Sequence, residues 1–221
     1  ALEQVSLSQL IKVLGQHPIV ALAPERLRGQ LPIASGSLSD TFFVDDAALE
    51  SIASYNQLML SPDFYRYFSD SDYMLIHQLD AFVFRDELRQ WTAQAWDYIG
   101  PPWAYGWAYA PLYKQLDRRL KAWWSYQFEH RSGTKNRARY HALRVGNGGF
   151  SLRRIDAMLD VLSHPPKALA AYRTNGLPDY PEDLFWGVDA NRQQPRLRVP
   201  DWSTALRFGV ESAPSESLAH L

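Results

Sequence analysis

Short apolar runs recur between helix-like segments through the first hundred residues, and this alternation constrains the fold more than any other feature of the chain. Leu7, Leu10, Ile11 and Leu14 share one face of a helix that Ser6 can cap and Gly15 can stop. "PIVALAP" then reads as a buried strand, and a second short run, "TFFVDD", follows the polar, turn-rich "LPIASGSLSD". From Ala47 to about Leu60 the pattern is helical again, and "SPDFYRYF" adds a short helix. "YMLIH" has the length of a central strand. In "DELRQWTAQAWDYIG", Leu88, Trp91 and Ala95 fall on one side of a helix, and Tyr98 and Ile99 form a short strand. Three such alternations predict a layered α/β sheet with helices across its faces.

The rhythm changes after Pro101. Residues 104–144 carry much of the Trp and Tyr content and end in a basic loop, "RSGTKNRARY", so they read as an insertion beside the sheet. "VGNGGFSLRR" is a glycine turn feeding a strand, and "IDAMLDVL" is a helix cut off by Pro165 and Pro166. The tail "LRVPDWSTALRFGVE" offers a short strand and a final helical turn. With 221 residues the chain forms one domain, 1–221, since two full cores would be cramped.

Composition removes several functional classes. Hydrophobic residues make up 46% and charged residues 21%, which excludes a wholly disordered chain, and no apolar run is long enough to cross a bilayer. A net charge of -1 supplies no field to gather nucleic acid. The chain has no cysteine, so neither a disulfide framework nor a thiolate zinc site can form. His77, His130, His141 and His164 lack the spacing of a zinc motif.

Four places are able to carry chemistry. Gln78 and Asp80 lie just past "YMLIH", at the strand edge where open α/β sheets keep their ligand crevice, and on extended backbone they would point the same way. A carboxylate there can bind Mg2+ or Mn2+ on a diphosphate or accept from a sugar hydroxyl; it can equally cap a turn or helix. Asp86 and Glu87 are explained by a helix start. Gly146, Gly148 and Gly149 let another molecule approach the backbone, or simply make a tight turn. "YPEDLFWG" places Glu182 and Asp183 in the first turn of a helix behind Pro181, where one acid can cap while the other faces a cleft as a general base. Trp103, Tyr105, Trp107 and Tyr109 line a sugar subsite or glue the insertion to the sheet.

Taken in order, "LIHQLDAFVFRDEL", "WDYIGPPW", "VGNGGFSLR" and "PEDLFW" resemble a family of bacterial glycosyltransferase-like domains long carried under an uncharacterised-domain label. They resemble more distantly the nucleotide-sugar transferases of the GT-A fold. The resemblance implies a GT-A-like α/β/α sandwich around a central mixed, mostly parallel sheet with an aromatic-rich insertion. It implies transfer of a sugar from a nucleoside-diphosphate donor to a glycan or other hydroxyl, with inversion, in a cytoplasmic protein able to sit peripherally on the inner membrane or beside a partner chain. Asp183 is then the base, with Glu182 orienting the acceptor or exchanging roles with it. Gln78, Asp80, Gly148 and Gly149 meet the donor, and Asp80 meets Mn2+ or Mg2+, although Gln78 stands where the wider fold has the first acid of a D-x-D pair. Asn147, Phe150, Trp103 and Trp107 line the sugars. Related domains begin with a hydrophobic strand, whereas this sequence opens on its first helix, so that strand is removed, on a separate chain, or dispensed with. A noncatalytic carbohydrate-binding or assembly domain and a glycoside hydrolase are the competing readings.

Overall fold

The computed structural model describes residues 2–31, 36–103, 113–114, 116–117, 120–121, 124, 144–174, 180–211 and 215. The chain is a mixed α/β protein with one small parallel and one small antiparallel sheet. Its elements run α1 (Leu2–Leu14), β1 (Val20–Pro24), β2 (Asp40–Val44), α2 (Ile52–Met59), α3 (Pro62–Tyr67), β3 (Tyr73–His77), α4 (Leu88–Thr92), β4 (Tyr98–Ile99), β5 (Phe150–Arg154), α5 (Ile155–Ser163), α6 (Ala168–Thr174), α7 (Glu182–Gly187) and α8 (Trp202–Phe208).

Local chemistry fixes many of these boundaries. Ser51 and Ser54 form a reciprocal capping box at the start of α2, and the Ser61 hydroxyl accepts from Asp63 N–H with Pro62 opening α3. Asp201 caps α8 by accepting from Thr204 N–H at 2.8 Å. Ser6 departs from its expected role. It lies inside α1, buried, and its hydroxyl donates to the Ala81 carbonyl, because α1 begins a full turn earlier and rests on the segment after β3. Gln9 Nε2 donates to Val83 O at 2.9 Å, and Leu10 and Leu14 close over Val83.

The expected mostly parallel central sheet is corrected. Strands β1 and β2 pair in parallel from Val20↔Asp40 to Pro24↔Val44, but the three-stranded sheet is antiparallel, ordered β3-β5-β4. Its middle strand is therefore β5, and "YMLIH" lies beside it in the register His77↔Phe150, Leu75↔Leu152. The reason is the course of the chain after β4. Pro102 bridges antiparallel to Val145, so the residues between them leave and re-enter at neighbouring points, and β5 must run back along β4. Helix–strand alternation cannot reveal such a return, because it reports element type and not direction. The expected strand in the tail is likewise not formed among the described residues; there Asp97 N–H donates to Arg198 O at 2.8 Å and Arg198 N–H to Asp97 Oδ2 at 2.7 Å, which ties the segment down without a ladder.

The core lies where β4 and β5 meet α3, α5, α6 and α7. Leu184, Phe185 and Trp186 of α7 are all buried, and Trp186 meets Tyr65 of α3 edge-on at 5.8 Å between centroids. Each such large side chain contributes about 1.5–3 kcal/mol of burial. That packing pins the first turn of α7, with its two acids, against the start of β5. No helix among the described residues is long and apolar enough to cross a membrane.

Candidate functional site

The turn from Val145 to Phe150 is the hub. Asn147 holds a left-handed backbone, φ 68°, which asparagine tolerates better than most residues, and its Oδ1 accepts from Phe150 N–H at 2.8 Å. The two glycines behind it lie close to side chains from other elements, and at Gly148 the neighbour is held in place by Arg153. A methyl at Gly149 would come within 2.7 Å of Gln78 Oε1, and one at Gly148 would land on Glu182 Oε1. Gln78 N–H donates to Gly149 O at 2.7 Å. The glycine turn therefore contacts both the end of β3 and the start of α7, joining three segments that sequence alone could only list in order.

Glu182 and Asp183 sit in sharply different surroundings. The side chain of Glu182 is buried, and its Oε1 accepts from Arg153 Nη2 at 2.9 Å. Arg153, wholly buried on β5, also donates from Nη1 to the Tyr65 hydroxyl at 2.9 Å and from Nε to Ser151 Oγ at 3.0 Å, and lies over the Tyr98 ring. Burial pushes the Glu182 carboxyl above its ordinary range, with the Arg153 charge opposing and Asp183 reinforcing. Its Oε2 and the nearby Asn56 Nδ2 have no hydrogen-bond partner among the described residues, while Asn56 Oδ1 takes the Glu182 N–H at 3.2 Å.

Asp183 keeps some exposure and bonds mainly to backbone. Its Oδ1 accepts from Leu184 N–H at 2.8 Å and Oδ2 from Gly148 N–H at 3.2 Å, with Asn147 N–H also directed at the carboxylate. Desolvation raises its proton affinity above that of an ordinary aspartate, and these N–H groups and Arg153 only partly offset the rise. Asp183 is thus an oriented carboxylate with an increased tendency to take a proton. That is the electrostatic condition of a general base.

The donor-side residues are arranged otherwise than extended backbone implies. Strand β3 ends at His77, and Ala81 N–H closes a turn onto Gln78 O at 2.9 Å, so Gln78 and Asp80 do not project from one strand face. Asp80 is exposed in that turn. Tyr55 of α2 lies within the fields of Glu182, Arg153 and Asp183, and burial pushes its hydroxyl up. Both ring nitrogens of His77 lack partners among the described residues, and burial lowers its proton affinity. Asp86 does act at a helix start, accepting from Leu88 N–H at 3.1 Å, and also pairs with His17 at 2.8 Å.

The aromatic residues divide. Phe150 stands beside the turn, its ring against Phe208 at 5.2 Å. Trp103 is buried, its ring against Gly146, and so serves the join between turn and core. Trp107, Tyr105 and Tyr109 fall outside the described residues.

Two participants escaped the sequence reading. Arg153 is not among the candidate residues of the sequence, although the period-two pattern of "FSLRR" does place it on the face of Ser151, opposite Leu152. Glu211 stood at the end of a tail with no motif of its own. In the structure it is exposed after α8, and the charge of Asp183 acts on it. Protein atoms around its carboxyl push it up to about 7, and the negative Asp183 adds to the rise.

A family model described as a protein of unknown function, DUF5672, matches residues 39–220. The chain belongs to the DUF5672 family. The matched span takes in β2, the Gln78–Asp80 turn, the glycine turn, the head of α7 and Glu211, so the whole candidate site lies within the DUF5672 region. No curated protein and no solved structure matches the chain.

Proposed function

We propose that this DUF5672 protein is a glycosyltransferase that moves a sugar from a nucleoside-diphosphate donor to a hydroxyl of a glycan or other acceptor, with inversion at the anomeric carbon, on a GT-A-like scaffold. The observation that carries the reading is the meeting of Gln78, the Asn147–Gly149 turn and the Glu182–Asp183 pair, with one acid of the pair held by Arg153 and the other left accessible.

Asp183 accepts the acceptor hydroxyl proton as that oxygen bonds to the anomeric carbon. The bond from that carbon to the diphosphate breaks, and its electron pair leaves with the diphosphate. Backbone N–H groups fix the carboxylate, and its raised proton affinity brings it nearer the range in which proton abstraction is useful at neutral pH. Glu182 serves by position: buried and locked to Arg153, it holds the α7 turn against Gly148. No group of three or more His, Cys, Asp or Glu residues among the described residues forms a metal cage. The single exposed carboxylate of Asp80 suits a Mg2+ or Mn2+ ion held chiefly by donor phosphates and water, which would neutralise charge on the departing diphosphate.

The test is transfer from a nucleotide-sugar panel to candidate glycans with Mn2+ or Mg2+, comparing wild type with Asp80→Asn and Asp183→Asn. Loss with Asp183→Asn supports the reading, and full transfer by both variants removes the assigned roles. Glycoside hydrolysis would use a carboxyl of raised proton affinity with a second carboxylate, and the Glu211 carboxyl, pushed up to about 7 with the charge of Asp183 adding to the rise, is its candidate acid. Glycan cleavage without any nucleotide, abolished by Glu211→Gln, would decide for it.

A further inference from the structure

Helix α7 opens on Pro181, whose side chain has no acceptor with which to cap it. Leu184 N–H turns to Asp183 Oδ1 at 2.8 Å, within the same turn. The Glu182 N–H is met from elsewhere: Asn56 Oδ1, on α2 and 126 residues away in sequence, accepts it at 3.2 Å. Asn56 is buried inside a helix whose own start is already closed by Ser51 and Ser54. Asparagine is a poor helix former and its amide is costly to bury, so what explains it here is the bond its side chain makes outside α2.

We propose that Asn56 is a positioning residue for Asp183: by accepting the Glu182 N–H it fixes the turn of α7 that aims the Asp183 carboxylate at the glycine turn. The inference rests on Asp183 being the base of the proposed transfer. Residue 182 is gripped twice, its carboxylate by Arg153 of β5 at 2.9 Å and its backbone by Asn56 of α2. The two grips are not equivalent. Arg153 holds the end of a side chain with several rotatable bonds, which leaves the backbone of the turn some freedom. Asn56 holds the main chain itself, one residue before Asp183, whose Oδ2 meets Gly148 N–H at 3.2 Å. Proton abstraction depends on such placement, because a shift of about 1 Å caused far from the chemistry can cost about 10²-fold in rate. Gln57, next to Asn56, supplies a contrast. Its Nε2 donates to Tyr172 O at 2.7 Å, which ties α2 to α6 and leaves the acid turn alone.

Hydrogen exchange of the Gly148 amide and the kinetics of transfer, read on the full chain in Asn56→Leu and Gln57→Leu, test this. Asn56→Leu is near-isosteric and lacks the acceptor; Asn56→Ala takes its place if urea unfolding shows Asn56→Leu to be unfolded. Loss of the bond should speed Gly148 exchange about three- to tenfold. It should lower kcat about 10- to 100-fold and leave KM within about twofold, since aim and not substrate binding is lost. Gln57→Leu loses a comparable bond and should keep both readings within about twofold of wild type. Wild-type Gly148 exchange and kcat in the Asn56 variant overturn the proposal. Equal changes in the two variants also overturn it, because they mark a tie that only stabilises α2. In a protein that transfers no sugar from any donor, faster Gly148 exchange confined to the Asn56 variant keeps the link to Asp183 and rejects the transferase reading. Unchanged exchange rejects the link whatever the activity, so the two failures are told apart.

Discussion

Two adjacent acids on one helical turn, Glu182 and Asp183, have been given opposite environments. Glu182 faces inward to a fully buried guanidinium, and its surroundings are side chains: Arg153, Asn56 and, through Arg153, Tyr65 and Ser151. Asp183 faces the glycine turn and is surrounded by backbone N–H groups. A buried ion pair resists change because removal of either partner strands a charge. A carboxylate held by main-chain donors keeps its place with its own charge free to titrate. The difference teaches that proximity in sequence says little about role; the face of the helix decides.

The largest effect is expected on the inner side. Arg153→Met leaves Glu182 buried and uncompensated and should cost about 3–5 kcal/mol in urea unfolding, whereas Arg153→Met with Glu182→Leu should recover most of the loss. A single variant as stable as wild type would mean that the pair does not anchor the site. Next comes the seam between the two sides. Gly148→Ala drives a methyl into Glu182 Oε1 and should cost about 1–3 kcal/mol, read by the same unfolding experiment. An unaltered midpoint would show that the turn and α7 are less closely joined than their contacts indicate.

Smaller effects belong to the outer side. The Glu211 carboxyl rises from the ordinary 4.5 to about 7 on folding, so its contribution to stability is fully present below pH 4.5 and is lost as pH rises through 7. Glu211→Gln should therefore gain on wild type in unfolding free energy between those limits, and parallel curves would contradict the crowding of Glu211. The smallest change is expected for Asp80→Asn, at an exposed position, which should leave stability within about 0.5 kcal/mol. Its effect should appear instead as weaker donor binding, measured by calorimetry with a nucleotide sugar and Mn2+.

Much of the chain was legible because its signals are local. The alternation of "YMLIH" and "DELRQW", the short helix of "SPDFYRYF" and the proline before Glu182 each act within a few residues, whereas the helix read from Ala47 starts only after Ser51. Strand direction was not legible, since it depends on where the chain returns after Pro102. The separation of Glu182 from Asp183 was half legible: adjacent helix positions point apart, but only β5 supplies Arg153 to hold one of them. Glu211 was invisible because the charge that acts on it, Asp183, lies in another element and no spacing rule links the two. Gln78 and Asp80 were read on extended backbone, and the closing bond from Ala81 N–H shows why that geometry fails: the strand stops one residue before Gln78.

The division of labour between the two acids is tested most directly by the rate of sugar transfer in Asp183→Asn, a near-isosteric change, measured with the donor and acceptor that wild type uses and on protein shown by urea unfolding to be folded. The loss of the base should lower the rate about 10²- to 10⁴-fold, while the lost acceptor for Gly148 or Leu184 N–H costs only about 1–3 kcal/mol of stability and leaves the protein folded. Transfer at the wild-type rate by folded Asp183→Asn would contradict the assignment of Asp183 as the base.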